Sequence, residues 1–325
     1  MSADSHNTAC MPEFYLRFLL VTAQRDDLGS WPFFVVLCSA GIWFVVISLD
    51  AFGGPFLNTL TAFWQDIFYA VTRTFFKTYP QLNKKTLPQA DRQFLFDQLF
   101  FYKKLSITQR KAFDHRVVQF KASRTFVAKE DVQLTEDMKL LISATAVQLT
   151  FGLRSYLVKG FETILVYPRA YFNRQNQHYH KGEVNPKGLV VLSWEDFYEG
   201  VNIPDDNLNL GIHEFAHALA LQRLQNRAYR DKIFVELFDK LMRSISNPMF
   251  RKQIQQRAGL RKYAIANAME FFAVTSESFF ENPGLLYHNH RTIYQLFAKM
   301  YNQDLIALYE RKITPLTNSS LHATN

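Results

Sequence analysis

The sequence predicts an α+β fold, a small mixed sheet followed by a mostly helical half, preceded by an N-terminal transmembrane helix. Three observations carry this reading. Short aliphatic and β-branched runs occur at 132–134, 163–167 and 189–192. From about Asn207 onward nearly every stretch repeats its apolar residues at helical spacing. Residues 31–49, WPFFVVLCSAGIWFVVISL, carry no charge.

At 1.5 Å per residue, this nineteen-residue stretch matches the hydrocarbon thickness of a bilayer. A buried core helix is rarely apolar on every face for such a length. A secretory signal starts nearer the N-terminus and ends in a small-residue cleavage site. The chain is therefore expected to meet a lipid bilayer through 31–49, after an N-terminal segment at 1–30. Arg17 and Arg25 precede the span, whereas Arg73, Lys77, Lys84 and Lys85 follow it. That balance leans toward a body on the cytoplasmic side.

In 52–76, Leu57, Leu60, Trp64, Phe68, Val71 and Phe75 recur at helical spacing with Asn58, Thr61, Gln65 and Asp66 between them. This pattern predicts an interfacial helix along the membrane, Trp64 at the headgroup level. Together with the polar stretch up to Pro88 it forms a membrane-proximal helix and linker over 50–88. A folded domain is expected at 89–312, then a flexible tail at 313–325. Helices are predicted at about 90–105, at 107–126 with Thr108 or Ser106 as cap, and at 138–150.

The chain has 325 residues, 48% of them hydrophobic, which is ample for a packed core. Its net charge of +8 invites the question of an acidic partner. The basic pairs Lys84/Lys85, Lys103/Lys104, Arg110/Lys111 and Arg251/Lys252 are dispersed, and no nucleic-acid motif accompanies them. A solvated surface, or one facing anionic lipid, is expected instead of a nucleic-acid partner. The only cysteines are Cys10 and Cys38, which excludes a disulfide framework or a thiolate metal site in the folded domain.

The chemistry concentrates at His213-Glu214-Phe215-Ala216-His217. On a helix, residues i and i+4 share a face one turn apart, so His213 and His217 can offer two imidazole nitrogens to one ion. Glu214 is offset around the helix, placed to act as general base on a water there without being a ligand. The flanking 208–224 is helical in pattern, with Leu210, Ile212, Phe215, Ala216, Leu219 and Leu221. A third protein ligand must come from another element. Downstream, the run NAMEFFAVTSESFFENP carries Glu270 and Glu277, seven residues apart on one helical face among phenylalanines. A carboxylate in such surroundings needs a metal or a donor, and spacing alone does not choose between the two. His178, His180, His288 and His290 fall in polar, loop-like sequence and are expected to be solvent-exposed and without a function.

The motif, together with Tyr263, the following AIANAMEFFAV (264–274), Ser276-Glu277 and Phe279-Phe280, resembles the Mlc titration factor A family of bacterial zinc peptidases, a gluzincin-like group. Weaker matches lie at Phe100-Phe101-Tyr102, Ile164 to Pro168 and Gly188 to Trp194, and the resemblance covers about 92–310. It implies a zincin-like metallopeptidase domain with Zn²⁺ as its cofactor. It also implies that Glu270 is the third ligand beside His213 and His217, that the Tyr263 hydroxyl donates to a developing oxyanion, and that Glu277 stands behind the ligands. The strand at 189–192 would be the edge along which an extended substrate lies. The substrate would be a peptide or protein, with aminopeptidase-like action; the span at 31–49, a departure from the soluble enterobacterial relatives, places the protein in the bacterial inner membrane. Because enterobacterial relatives bind the repressor Mlc, the resemblance also suggests a regulatory protein partner. Ala220 replaces an aspartate usual in such sequences, and the segment between the two motifs is shorter, which bears on substrate preference.

Overall fold

The computed structural model describes residues 85–316, apart from 154, 175–176, 226–228, 262–263 and 265. The expected span at 31–49, the amphipathic stretch at 52–76, Tyr263 and most of the C-terminal tail lie outside the described residues. Among the described residues no helix is long and apolar enough to cross a membrane.

In chain order the elements are α1 (Gln89–Gln98), α2 (Phe100–Lys104), α3 (Ile107–Ala122), β1 (Thr125–Ala128), α4 (Glu136–Thr150), β2 (Thr163–Tyr167), β3 (Tyr171–Asn173), β4 (His178–His180), β5 (Gly182–Asn185) and β6 (Leu189–Ser193). The helical half follows as α5 (Trp194–Asn202), α6 (Leu210–Gln225), α7 (Tyr229–Ser246), α8 (Pro248–Gln256), α9 (Ala268–Glu281), α10 (Pro283–Tyr301) and α11 (Leu305–Tyr309). The α+β expectation holds, with a small mixed sheet and a helical C-terminal half.

Several local expectations are corrected. The helix expected over 90–105 breaks at Leu99, whose backbone is extended (φ −111°, ψ 104°). The helix starting at 107 is capped by Ser106 in a reciprocal capping box with Gln109. It stops at Ala122, not 126, because Thr125–Ala128 pairs in parallel with β2. The strand expected at 132–134 is loop, in which Val132 and Leu134 pack on the core as side chains. Tertiary pairing with β2, invisible locally, decides which of two adjacent β-prone runs joins the sheet.

The main sheet has the order β1-β2-β6-β5, with β1, β2 and β6 parallel and β5 antiparallel to β6. The strand at Leu189–Ser193 is therefore internal, and the edge is β5. The β5–β6 hairpin turns through Gly188, whose φ of +95° suits glycine and whose N–H donates to the Asn185 carbonyl at 2.9 Å. A separate antiparallel pair, β3 with β4, precedes it. His178 and His180 lie on β4, and His288 and His290 on α10, so neither pair sits in a loop. His178 and His288 are exposed, but His290 is only 7% exposed at a kink in α10 (φ −138°, ψ 53°), and burial lowers its pKa.

One face of α6 packs on β5 and β6, and other faces meet α4, α5 and α9. Its surroundings are apolar: Ile212, Phe215, Ala216, Ala218, Leu219 and Ala220 are essentially inaccessible. Close approach to α5 needs Gly211, where a Cβ would fall 2.5 Å from the Phe197 ring. Helix α9 is fixed by aromatic packing of Phe272 and Phe279 on Phe297 and Tyr301 of α10. The Ser276 and Tyr301 hydroxyls add a buried hydrogen bond of 2.7 Å. Two rigid helices, α6 and α9, thus face each other across a packed interior, which is the condition for a precise site between them.

Candidate metal centre

Helix α6 is preceded by Asn209, the kind of residue that satisfies the free N–H groups of a first turn. Its side-chain oxygen accepts from Ile212 N–H at 2.9 Å, and its carbonyl accepts from His213 N–H at 2.9 Å. One turn on, His213 and His217 bring their Nε2 atoms to 3.1 Å. The first turn of α9, capped by Asn267, presents Glu270 to the same point. His213 Nε2 is 3.2 Å from Glu270 Oε2, and His217 Nε2 is 3.5 Å from Glu270 Oε1. One donor atom from each of the three residues falls within 4.8 Å of the others.

These separations fit a cation. Four-coordinate ligands at about 2.0–2.1 Å from an ion stand roughly 3.3 Å from one another. Two imidazole nitrogens at 3.1 Å cannot both carry a proton, and Glu270 brings its carboxylate oxygens to 3.2 and 3.5 Å from the same two nitrogens. A bound positive charge satisfies both conditions. With protons alone, burial works against a charged His213, yet hydrogen bonds to Glu270 and Glu277 carry its pKa up to about 10. Burial raises the Glu270 carboxyl, but His213 and His217 hold it well below the usual carboxylate range. Both shifts register the same fact, a pocket of lone pairs arranged for positive charge.

Glu277 does not reach the converging atoms. Its Oε1 pairs with His213 Nδ1 at 2.7 Å and also accepts from the Arg261 guanidinium; its Oε2 accepts from Asn209 N–H at 2.8 Å. It is 2% exposed, and its position fixes the His213 ring with Nε2 toward Glu270. The structure thus separates two glutamates that spacing could not distinguish. Glu214, 5% exposed, lies beside β5. Burial pushes its carboxyl up to about 8, with His213 opposing and Glu270, Glu277 and Glu183 reinforcing the rise. A carboxyl near neutrality is matched to taking and returning a proton.

Three contributors escaped the sequence reading. Asn209 carried an N-cap signal that could have been used. Arg261 and Gly182 carried none, because their roles depend on contacts across the fold. At Gly182 a Cβ would lie 2.6 Å from Glu214 Oε1 and 2.8 Å from its Cδ. Gly182→Ala is expected to displace the Glu214 carboxylate with metal content retained; a structure of the variant and metal analysis check this.

The model of the glucose-regulated metallo-peptidase M90 family matches residues 72–302. The chain belongs to the M90 metallopeptidase family. This M90 member is 30% identical over 244 residues to an uncharacterised protein of Synechocystis sp., covering 68% of this chain and 86% of that one. It is 26% identical over 211 residues to Mlc titration factor A of Yersinia pestis and of Yersinia pseudotuberculosis, covering 59% of this chain and 77% of each relative. The resemblance drawn from the residue motifs is therefore borne out. The M90 match implies a metal, and His213, His217 and Glu270 are the group of metal-binding side chains that the described residues bring together.

Proposed function

We propose that this M90 member is a zinc-dependent peptidase, anchored in the bacterial inner membrane through 31–49, with its catalytic domain at 89–312 in the cytoplasm. The observation that carries the hydrolytic reading is the convergence of His213, His217 and Glu270 with Glu214 buried alongside. A donor set of two imidazoles and one carboxylate, without thiolates, suits Zn²⁺ with a coordination position left open. Zinc held there would supply Lewis acidity toward a scissile carbonyl and make water a stronger acid. Glu214 takes the proton from the attacking water and returns it to the leaving amine. Glu277 and Asn209 keep His213 in register, so little reorganisation is needed during the reaction. Tyr263 is assigned as oxyanion donor from its place in the family motif alone.

Strand β5 serves as the substrate's docking edge. Ser193 N–H donates to the Lys181 carbonyl at 2.7 Å, so in the β5–β6 register the residue pairs 181/193, 183/191 and 185/189 hold the ladder bonds. The main-chain groups of Gly182 and Val184 then point to the open side, where an extended peptide can add as a further strand. Aminopeptidase-like action is part of the proposal and rests on the family resemblance.

A second reading draws on the printed name of the Yersinia relatives, Mlc titration factor A: this chain would bind a regulatory protein. Peptide cleavage separates the two. The full chain in detergent is expected to hydrolyse unstructured peptides, to lose this activity on chelation and to regain it with zinc; absence of cleavage under all conditions favours the binding reading. The anchor is checked by alkaline extraction, in which the full chain stays with membranes and a variant lacking 31–49 is released.

A further inference from the structure

We propose that the corner between α7 and α8 is a membrane-docking surface, a basic patch with an apolar tip that seats on anionic lipid headgroups. The inference goes beyond the hydrolytic and anchoring readings and depends on neither.

The net charge of the chain is concentrated at this corner. From Lys240 to Met269 the sequence contains no aspartate or glutamate, while seven lysines and arginines lie between Lys240 and Lys262. The whole chain has 37 basic and 29 acidic residues, so outside this stretch the two signs nearly cancel. An excess of one sign gathered in one segment provides a field for an anionic partner.

The fold turns much of that charge outward. Helix α7 buries Phe234, Phe238, Leu241 and Ile245, and the first two meet the edge of Phe272 on α9. Lys240 and Arg243, interleaved with these residues, are exposed. Asn247 then ends α7 and caps α8: its N–H donates to the Ser244 carbonyl at 3.1 Å, and its side-chain oxygen accepts from Met249 N–H at 2.9 Å. Helix α8 is held by Ile254, 2% exposed, and adds Arg251 and Lys252 to the exposed surface. Among the described residues, Lys240, Arg243, Arg251 and Lys252 form no ion pair, and Glu236 and Asp239, one turn earlier on α7, are not paired with them. Lys240, Arg243, Ser244, Asn247 and Phe250 line a depression of about 320 Å³, a volume within the range of small-ligand sites.

The tip identifies the partner. Met249, in the first turn of α8, is 70% exposed, and Phe250 beside it is half-buried. An apolar side chain protruding among cations gains by entering the boundary between headgroups and acyl chains. Against free phosphate or a nucleic-acid backbone it gains nothing. Lipid phosphates satisfy the cations and the acyl boundary takes Met249.

The test uses the full chain reconstituted into vesicles of phosphatidylcholine, with or without about one-third phosphatidylglycerol, whose acyl chains carry bromine as a contact quencher. Met249→Cys, combined with Cys10→Ser and Cys38→Ser, holds a fluorescent dye at the tip. Quenching is expected in the anionic vesicles. It should be absent in the neutral ones and at about 1 M salt, where the screening length is about 3 Å. Each basic residue near an anionic surface contributes about fivefold to binding. Adding Lys240→Gln, Arg243→Gln, Arg251→Gln and Lys252→Gln should therefore weaken the contact on the order of 500-fold and abolish quenching. The melting temperature should not change, because these side chains are exposed and unpaired. The charge-preserving set Lys240→Arg, Arg243→Lys, Arg251→Lys and Lys252→Arg should retain quenching. A span at 31–49 would hold the chain on either kind of vesicle, so contact at the tip, not retention, is the readout. Equal quenching in neutral and anionic vesicles, quenching in neither, or quenching that survives the four glutamines overturns the inference. A dye response to a DNA duplex with none to anionic vesicles also overturns it and assigns the surface to nucleic acid.

Discussion

Glu214→Gln is expected to lower peptide hydrolysis by on the order of 10²–10⁴-fold while leaving the metal in place. The substitution keeps volume and shape but removes the group able to take a proton from water. Metal retention is expected because the three converging donor atoms come from His213, His217 and Glu270, with Glu214 apart from them. Stability should not fall either. Burial raises the Glu214 carboxyl to about 8, so a charged Glu214 is disfavoured in the fold and a neutral amide removes that cost. Steady-state kinetics, metal analysis and a melting curve on one preparation distinguish the cases. Full activity in the variant would sink the assignment of the base.

Glu270→Ala and Glu277→Ala are expected to fail in different ways. Removing Glu270 deletes one of three donors, leaves the two Nε2 atoms 3.1 Å apart and should abolish stoichiometric zinc binding. In the metal-free fold it also removes the carboxylate that pairs with His213 and His217, so the apoprotein should lose stability too. Removing Glu277 leaves the site's donors present but frees the His213 ring, and a 10–100-fold weaker zinc affinity is expected. It also leaves the partly exposed Arg261 without its ion-pair partner and the buried Asn209 N–H without an acceptor, a loss on the order of 1–3 kcal/mol. Zinc titration and melting of the apoprotein read both effects. A larger loss of zinc affinity in the Glu277 variant than in the Glu270 variant would exchange their roles.

What the sequence disclosed follows the range of the interactions involved. The His213 to His217 pair is a property of one helical turn, and the apolar residues around it announce the helix without reference to the rest of the chain. Glu270 and Glu277 were visible as carboxylates in an aromatic helix, but their division of labour depends on how α9 meets α6, which spacing does not encode. The family resemblance supplied what local pattern lacked, and in the structure Glu270 does meet the histidines while Glu277 stands behind His213.

The sheet was less legible. Residues 163–167 and 189–192 read as strands because both are apolar and rich in β-branched residues. Strand β5, GEVN, is short and polar and joins the sheet only through its turn at Gly188, so the edge was assigned to its neighbour. The first half of the run at 125–128 was absorbed into the preceding helix, because pairing with β2 overrides local preference. His290 looked exposed within YHNHR, yet a kink in α10 turns it inward. Tyr263 and the 31–49 span lie outside the described residues.

The most direct test of the central claim is zinc K-edge X-ray absorption on the full chain as purified. The account predicts one zinc per chain in a nitrogen and oxygen shell near 2.0–2.1 Å, with the outer-shell scattering of two imidazoles, and loss of that signal in Glu270→Ala. A sulfur shell, a single imidazole, or an unchanged spectrum in Glu270→Ala would contradict it.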